Sequence, residues 1–256
     1  MSKVALHKGK GRKENISSVL EEIRTDIEKS IKGKKSIVIK PDLTSAYKQN
    51  VSIHLDTLKT LLDFLTSITN QKITIAGSAR IGSTEEAFEN FNYYELENDY
   101  NVKLVDLYKE KKCKQIEIYS RDLNPVKTKV PEIILDSDFL ISVSGLKTDD
   151  SVIASMGIKN MAGSLVSRPL NHNGYKAINL SIAKLMDLTP PDLSIIDAFE
   201  AIEGEGPTKG DSVNMKLALA GLDFLSVDTI GANIMGFNPY KIGYLNHCRE
   251  NNLGEG

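Results

Sequence analysis

The chain has 256 residues, 41% apolar and 26% charged, which is enough apolar material for a sizeable core and too much for a disordered segment. Its formal net charge of -2 gives no overall basic field for a nucleic acid, and no apolar run approaches the roughly 18 residues that cross a membrane as a helix. Its cysteines, Cys113 and Cys248, are too few for an internal four-thiolate iron–sulfur cluster, and their scarcity fits a reducing, cytoplasmic setting.

Residues 4–7 read as a first strand, entered without the long apolar stretch of a signal peptide. The basic cluster Lys8, Lys10, Arg12 and Lys13 follows and reads as a solvated loop. The apolar stripe Ile16, Val19, Leu20, Ile23 and Ile27 predicts a helix over 14–31, closed by Gly33. A buried strand at 36–39 runs into Lys40-Pro41-Asp42. Proline stops the ladder there, so Lys40 and Asp42 stand at the strand's carboxyl end. A helix over 53–69 with a leucine face and a strand at 73–76 come next.

The loop after that strand carries Ser78, Arg80, Ser83 and Thr84. A strand, a Gly/Ser loop and a helix start form an arrangement that receives anions on backbone N–H groups, with Ser83 or Thr84 as the helix cap. The spacing is neither a dinucleotide fingerprint nor a P-loop. Strands at 102–105 and 115–119 follow, and 122–131 reads as a hairpin or as the passage to a second lobe.

In the second half a strand at 139–143 leads to Lys147. The stretch 151–165 is rich in small residues and holds Lys159, Asn160 and Gly163, where a backbone can come close to a ligand. The polar loop 168–174 carries His172, a candidate catalytic group set against a plain surface reading. A helix over 175–188 ends before Pro190-Pro191. A short strand at 193–196 then meets Asp197, and the carboxylates Glu200, Glu203 and Glu205 follow among Gly204, Gly206, Pro207 and Gly210. A strand at 215–220, a helix over 223–235 with Asp228 inside it, and a last helix from Pro239 to about 251 complete the chain.

Strands alternating with helices predict an α/β fold, a mostly parallel or mixed sheet with helices on both faces. It extends over 1–256 as one domain or as two lobes parting near 120–138. Ligands of such sheets bind beyond the strand ends. Lys40, Lys147 and Lys159 there would hold a phosphate or carboxylate, or act as bases if desolvated, against the alternative that each is solvated or paired. Lys147, Lys159, Asp197 and Glu203 are the candidate catalytic groups. Asp42, Ser78, Arg80, Ser83, Thr84, Asn160, Gly163 and Gly206 join Lys40 as candidate ligand-binding residues. Asp197, Glu203 and Glu205 would take a hard divalent cation such as Mg²⁺.

Several blocks resemble the family called domain of unknown function 362. Lys40-Pro41-Asp42-Leu43 is similar to its lysine–proline–asparagine signature, with Asp42 in place of the usual Asn. Residues 82–88 and 103–107 resemble its first half, and Leu146-Lys147-Thr148 and 158–163 its central lysine–threonine and lysine–asparagine–glycine blocks. The family often has His after that threonine, where this chain has Asp149. The run from Ile196 to Gly210, then Asp228 and Gly236-Phe237, resembles its C-terminal half. The resemblance implies an uncharacterised α/β protein. Some members carry ferredoxin-like iron–sulfur segments, and this chain lacks the cysteines for one. The expected function is the binding of a small anionic molecule, with or without catalysis, by a protein that takes neither nucleic acid nor membrane as partner and is compatible with a homo-oligomer. The alternative is a non-catalytic accessory protein that delivers a cofactor or contacts a redox partner. An isomerase with a nucleotide-derived cofactor stands further off, because candidate site histidines are scarce.

Overall fold

The computed structural model describes residues 2–166 and 174–256. His172 and the rest of the loop before Gly174 lie outside these residues.

The chain begins with β1 (Val4–Lys8), α1 (Arg12–Glu22), α2 (Arg24–Ile31) and β2 (Ile37–Pro41). It continues through α3 (Leu55–Ile68), β3 (Ile73–Gly77), α4 (Thr84–Asn90), α5 (Glu95–Asp99) and β4 (Val102–Asp106). A hairpin of β5 (Cys113–Tyr119) and β6 (Pro125–Pro131) and the short α6 (Glu132–Leu135) lead to β7 (Phe139–Asp149). Then come β8 (Ile153–Ser155), α7 (Gly157–Met161), α8 (Tyr175–Leu188), β9 (Leu193–Glu203), β10 (Asp211–Val213) and β11 (Leu217–Gly221). The helices α9 (Phe224–Ile234) and α10 (Gly243–Glu250) close the chain.

The main sheet has the order β1-β11-β9-β7-β2-β3-β4. The five strands from β9 to β4 are parallel, and β11 and β1 extend the sheet with antiparallel pairings. The central strand β2 is buried along its whole length, as expected of a strand covered on both faces. Alternation divides its side chains. Ile37 and Ile39 join a core with Leu20 of α1, Ile27 of α2 and Leu58, Leu61 and Leu65 of α3. Val38 joins the opposite core, with Ile182 and Leu185 of α8, Leu225 of α9 and Leu245 of α10. The β5–β6 hairpin forms its own two-stranded sheet, and β5 is tied to α8 by Tyr119 N–H donating to Ser181 Oγ at 3.0 Å. Among the described residues no helix is long and apolar enough to cross a membrane.

The structure departs from the sequence reading in two ways that bear on the site. The helix expected over 14–31 is two helices, broken where Ile23 leaves helical geometry at φ -112 and ψ 17. More important, β7 and β9 run on to Asp149 and Glu203, well past their apolar starts. Each extension is paired by an added strand, β8 on β7 and β10 on β9, after a register shift between Gly145 and Lys147. Polar residues such as Ser144, Lys147 and Asp149 therefore sit within a strand and are buried there.

The connection leaving β2 passes through α3 on one face, whereas the one leaving β7 passes through α7 and α8 on the other. The β2–β7 crevice is thus the switch point at which open α/β sheets receive ligands. Phe139, wholly buried at the start of β7, packs in the core under α1, α2 and α3. Phe139→Ala is expected to lower stability by about 3–5 kcal/mol, read as an earlier midpoint in urea unfolding with an unchanged slope.

Candidate functional site

A cavity of about 520 Å³ opens beyond the carboxyl ends of β2, β3 and β7. Lys40, Asp42, Ser78, Asp149, Lys159 and Gly163 are among its lining residues. The volume is in the range of small-molecule sites.

Lys40 lies on the α7 side of β2 and is 1% exposed. Asn160 of α7 holds it in place. The Asn160 side-chain amide donates to the Lys40 carbonyl at 2.9 Å and to Ser142 Oγ at 3.0 Å, so it bridges β2 and β7. Its Oδ1 accepts from Lys40 Nζ at 3.0 Å. Among the described residues this is the one hydrogen-bond acceptor the ammonium has, and it is neutral. Burial pushes the Lys40 pKa down to about 8, against a favourable pull from Asp42 and with further repulsion from Lys147 and Lys159.

Beside Lys40, Gly163 leaves room that no other residue would. A Cβ there would lie 2.6 Å from Ser78 Oγ and 2.9 Å from Lys40 Nζ. Ser78 Oγ is buried and has no hydrogen-bond partner among the described residues. The crevice thus holds a desolvated cation and an idle hydroxyl side by side.

Two ion pairs stand near the cavity, Lys147 with Asp42 and Lys159 with Asp149. Lys147 directs all three of its donors inward, to Asp42 Oδ2, to Thr44 Oγ1 at 2.8 Å and to the Val51 carbonyl at 2.8 Å. Asp42 also accepts from Thr44 Oγ1 at 2.9 Å. Lys147 and Asp42 form a saturated, buried ion pair that ties β2, β7 and the following loop together, which leaves Lys147 no free donor for a ligand. Lys159 projects from α7 to within 3.8 Å of Asp149. Asp228, wholly buried in α9, fixes α7 by accepting from the N–H groups of Gly157 and Ile158, each at 2.9 Å. Burial pushes its pKa up to about 7 despite these two bonds.

Several expected site residues serve elsewhere. Ser83 caps α4, accepting from Glu86 N–H while Glu86 accepts from Ser83 N–H. Thr84 Oγ1 accepts from Ala79 N–H at 3.1 Å, and the N–H groups of Arg80 and Ile81 go to the carbonyls of Leu43 and Thr44. The N–H groups of Ala79, Arg80, Ile81 and Ser83, expected to help cradle an anion, are spent on shaping the loop. Ser78 alone of its serines and threonines lines the cavity, together with the exposed Arg80.

The expected cation site of Asp197, Glu203 and Glu205 does not form. Asp197 and Glu203 are six positions apart on one strand, roughly 20 Å at the usual rise. Asp197 points to the opposite face, where it accepts from Thr57 Oγ1 and pairs with Arg12 Nε at 3.1 Å. Glu203 and Glu205 are exposed. Among the described residues no group of three or more His, Cys, Asp or Glu is placed to hold a metal ion. What the acidic loop brings to the cavity is Pro207. Gly206 allows this, since a Cβ there would lie 2.2 Å from the Thr148 carbonyl oxygen. The sequence reading missed Asp149, whose place on the wall becomes visible only once β7 is known to continue.

Fold and site together define an α/β protein with a charged crevice at its switch point. The chain belongs to the DUF362 family: residues 37–233 match the family described as "Domain of unknown function (DUF362)". Over 117 residues it is 28% identical to the Thylakoid-associated protein sll1697 of Synechocystis sp., a match covering 42% of this chain and 36% of that protein. In fold it is similar to the lactate racemase apoprotein from Thermoanaerobacterium thermosaccharolyticum, with a TM-score of 0.54 and 17% identity. That likeness covers 93% of this chain and 57% of the racemase chain, so this chain spans little more than half of its structural neighbour.

The saturated Lys147–Asp42 pair predicts a large cost for removing one partner. Lys147→Ala strands a buried carboxylate and should lower stability by about 3–5 kcal/mol, whereas the double variant Lys147→Met/Asp42→Leu should recover much of that loss. Chemical denaturation of the two variants checks this.

Proposed function

We propose that this protein binds a small anionic molecule, a carboxylate or a phosphate, in the crevice between β2 and β7, with Lys40 as the charge that receives it. The observation that supports this most is the state of Lys40. It is a buried ammonium whose hydrogen-bond acceptor is a neutral amide, although the Asp42 carboxylate pulls on it. That carboxylate is engaged by Lys147. A buried charge without an ionic partner is costly, and an incoming anion supplies one. Ser78 Oγ offers a second, unused donor beside it, and Gly163 provides the space.

The proposal draws on no metal ion, because lysine provides the counter-charge. With its pKa lowered to about 8, Lys40 would also be the group to exchange a proton with a bound ligand near neutral pH. The racemase of similar fold is named for lactate, a small carboxylate. The likeness is one of fold, and the proposal rests on Lys40.

Sulfate is a suitable probe because its charge is constant between pH 6 and 10. Titration calorimetry should show saturable binding to the native protein and its loss in Lys40→Met. Gly163→Ala, which fills the space beside the ammonium, should weaken binding at least tenfold. Protonated Lys40 is the binding form, so affinity should be level below about pH 8 and fall roughly tenfold per unit above it. Equal sulfate binding by Lys40→Met, or a flat profile from pH 7 to 10, would contradict the proposal.

A further inference from the structure

A simple anion at Lys40 leaves one wall of the cavity unanswered. Asp149 ends β7 and is 4% exposed. Its Oδ1 is satisfied by Ser151, through the backbone N–H at 2.9 Å and the hydroxyl. Its Oδ2 is buried and has no hydrogen-bond partner among the described residues. The ammonium of Lys159 stands 3.8 Å away, close enough for attraction and too far for a hydrogen bond. A carboxylate oxygen kept from water without a donor carries a desolvation cost that a ligand donor would relieve.

The two unmet needs belong to different ends of the site. Lys40 pairs in register with Ser142 of β7, and Asp149 lies seven positions farther along that strand. Lys159 bears on Lys40 and pairs with Asp149, so it stands between the poles. The cavity of about 520 Å³ is many times the roughly 30 Å³ that a water molecule occupies in the liquid. A lone carboxylate or phosphate would fill only part of it.

Resting on the reading that Lys40 receives an anion, we infer that the ligand also carries a proton-donating group, a hydroxyl or an ammonium, that donates to Asp149 Oδ2. The ligand class is therefore a hydroxy- or amino-substituted carboxylate or phosphate monoester. The anionic end meets Lys40 and Ser78, and the substituted end meets Asp149. Specificity follows from the second contact, because an unsubstituted anion would bury Asp149 Oδ2 deeper and still leave it without a donor.

Two matched series test this by titration calorimetry at pH 7. One is ethyl phosphate, 2-hydroxyethyl phosphate and 2-aminoethyl phosphate. The other is propanoate, 3-hydroxypropanoate and 3-aminopropanoate. In at least one series a substituted member should bind the native protein tenfold or more tighter than its parent, and Asp149→Ala should abolish that gain. Asp149→Asn retains a neutral acceptor, so it should keep a hydroxyl's gain and lose most of an ammonium's, which separates the two donors. If parents and substituted members bind the native protein alike, or if the gain survives in Asp149→Ala, the inference is overturned while anion binding at Lys40 stands. If no member of either series binds, the anion site fails and the inference fails with it. The native-protein comparison decides the matter even where Asp149→Ala does not fold.

Discussion

The interaction on which the site depends is the hold of one amide on one ammonium. Asn160 bridges the Lys40 carbonyl and Ser142 Oγ across the β2–β7 pair and accepts from Lys40 Nζ. A single side chain thus closes the two strands at the switch point and sets the cation between them. An aspartate at 160 would neutralise the lysine. The amide orients it and leaves its charge to be met by something else.

Around that contact the fold separates fixed charges from available ones. Lys147 and Asp42 saturate each other within the wall. Asp228 is spent on holding the start of α7, which carries both Lys159 and Asn160. On the far face, Asp197 is occupied by Thr57 and Arg12. Among the described residues, the unmet polar groups that face the cavity are then Ser78 Oγ, Lys40 with its neutral acceptor, and Asp149 Oδ2. A satisfied polar network gives rigidity, and an unsatisfied group that faces a cavity is a place where a ligand can supply the missing partner.

Much of this was legible in the sequence, for physical reasons. Pro41 after a buried apolar run places Lys40 at a strand end, and the small residues near Asn160 and Gly163 announce a close approach. The leucine face of α3 and the strand–helix alternation give the sheet and its two covers. The acidic loop misled because charge and glycine content do not reveal direction. Strand geometry spreads Asp197 and Glu203 along β9, on a continuation that polar residues disguise. The same disguise hides Asp149 at the end of β7. Ser83 or Thr84 was legible as the cap of α4; Ser83 takes that role and Thr84 Oγ1 holds the Ala79 N–H.

The most direct test of the account is the titration of Lys40 itself, followed by NMR in protein carrying ¹³C-labelled lysine and assigned with Lys40→Met. The account predicts a midpoint near 8 without added anion, moving upward in saturating sulfate as the bound charge favours the ammonium. A midpoint at the ordinary lysine value of about 10.4, or one that sulfate does not move, would contradict it.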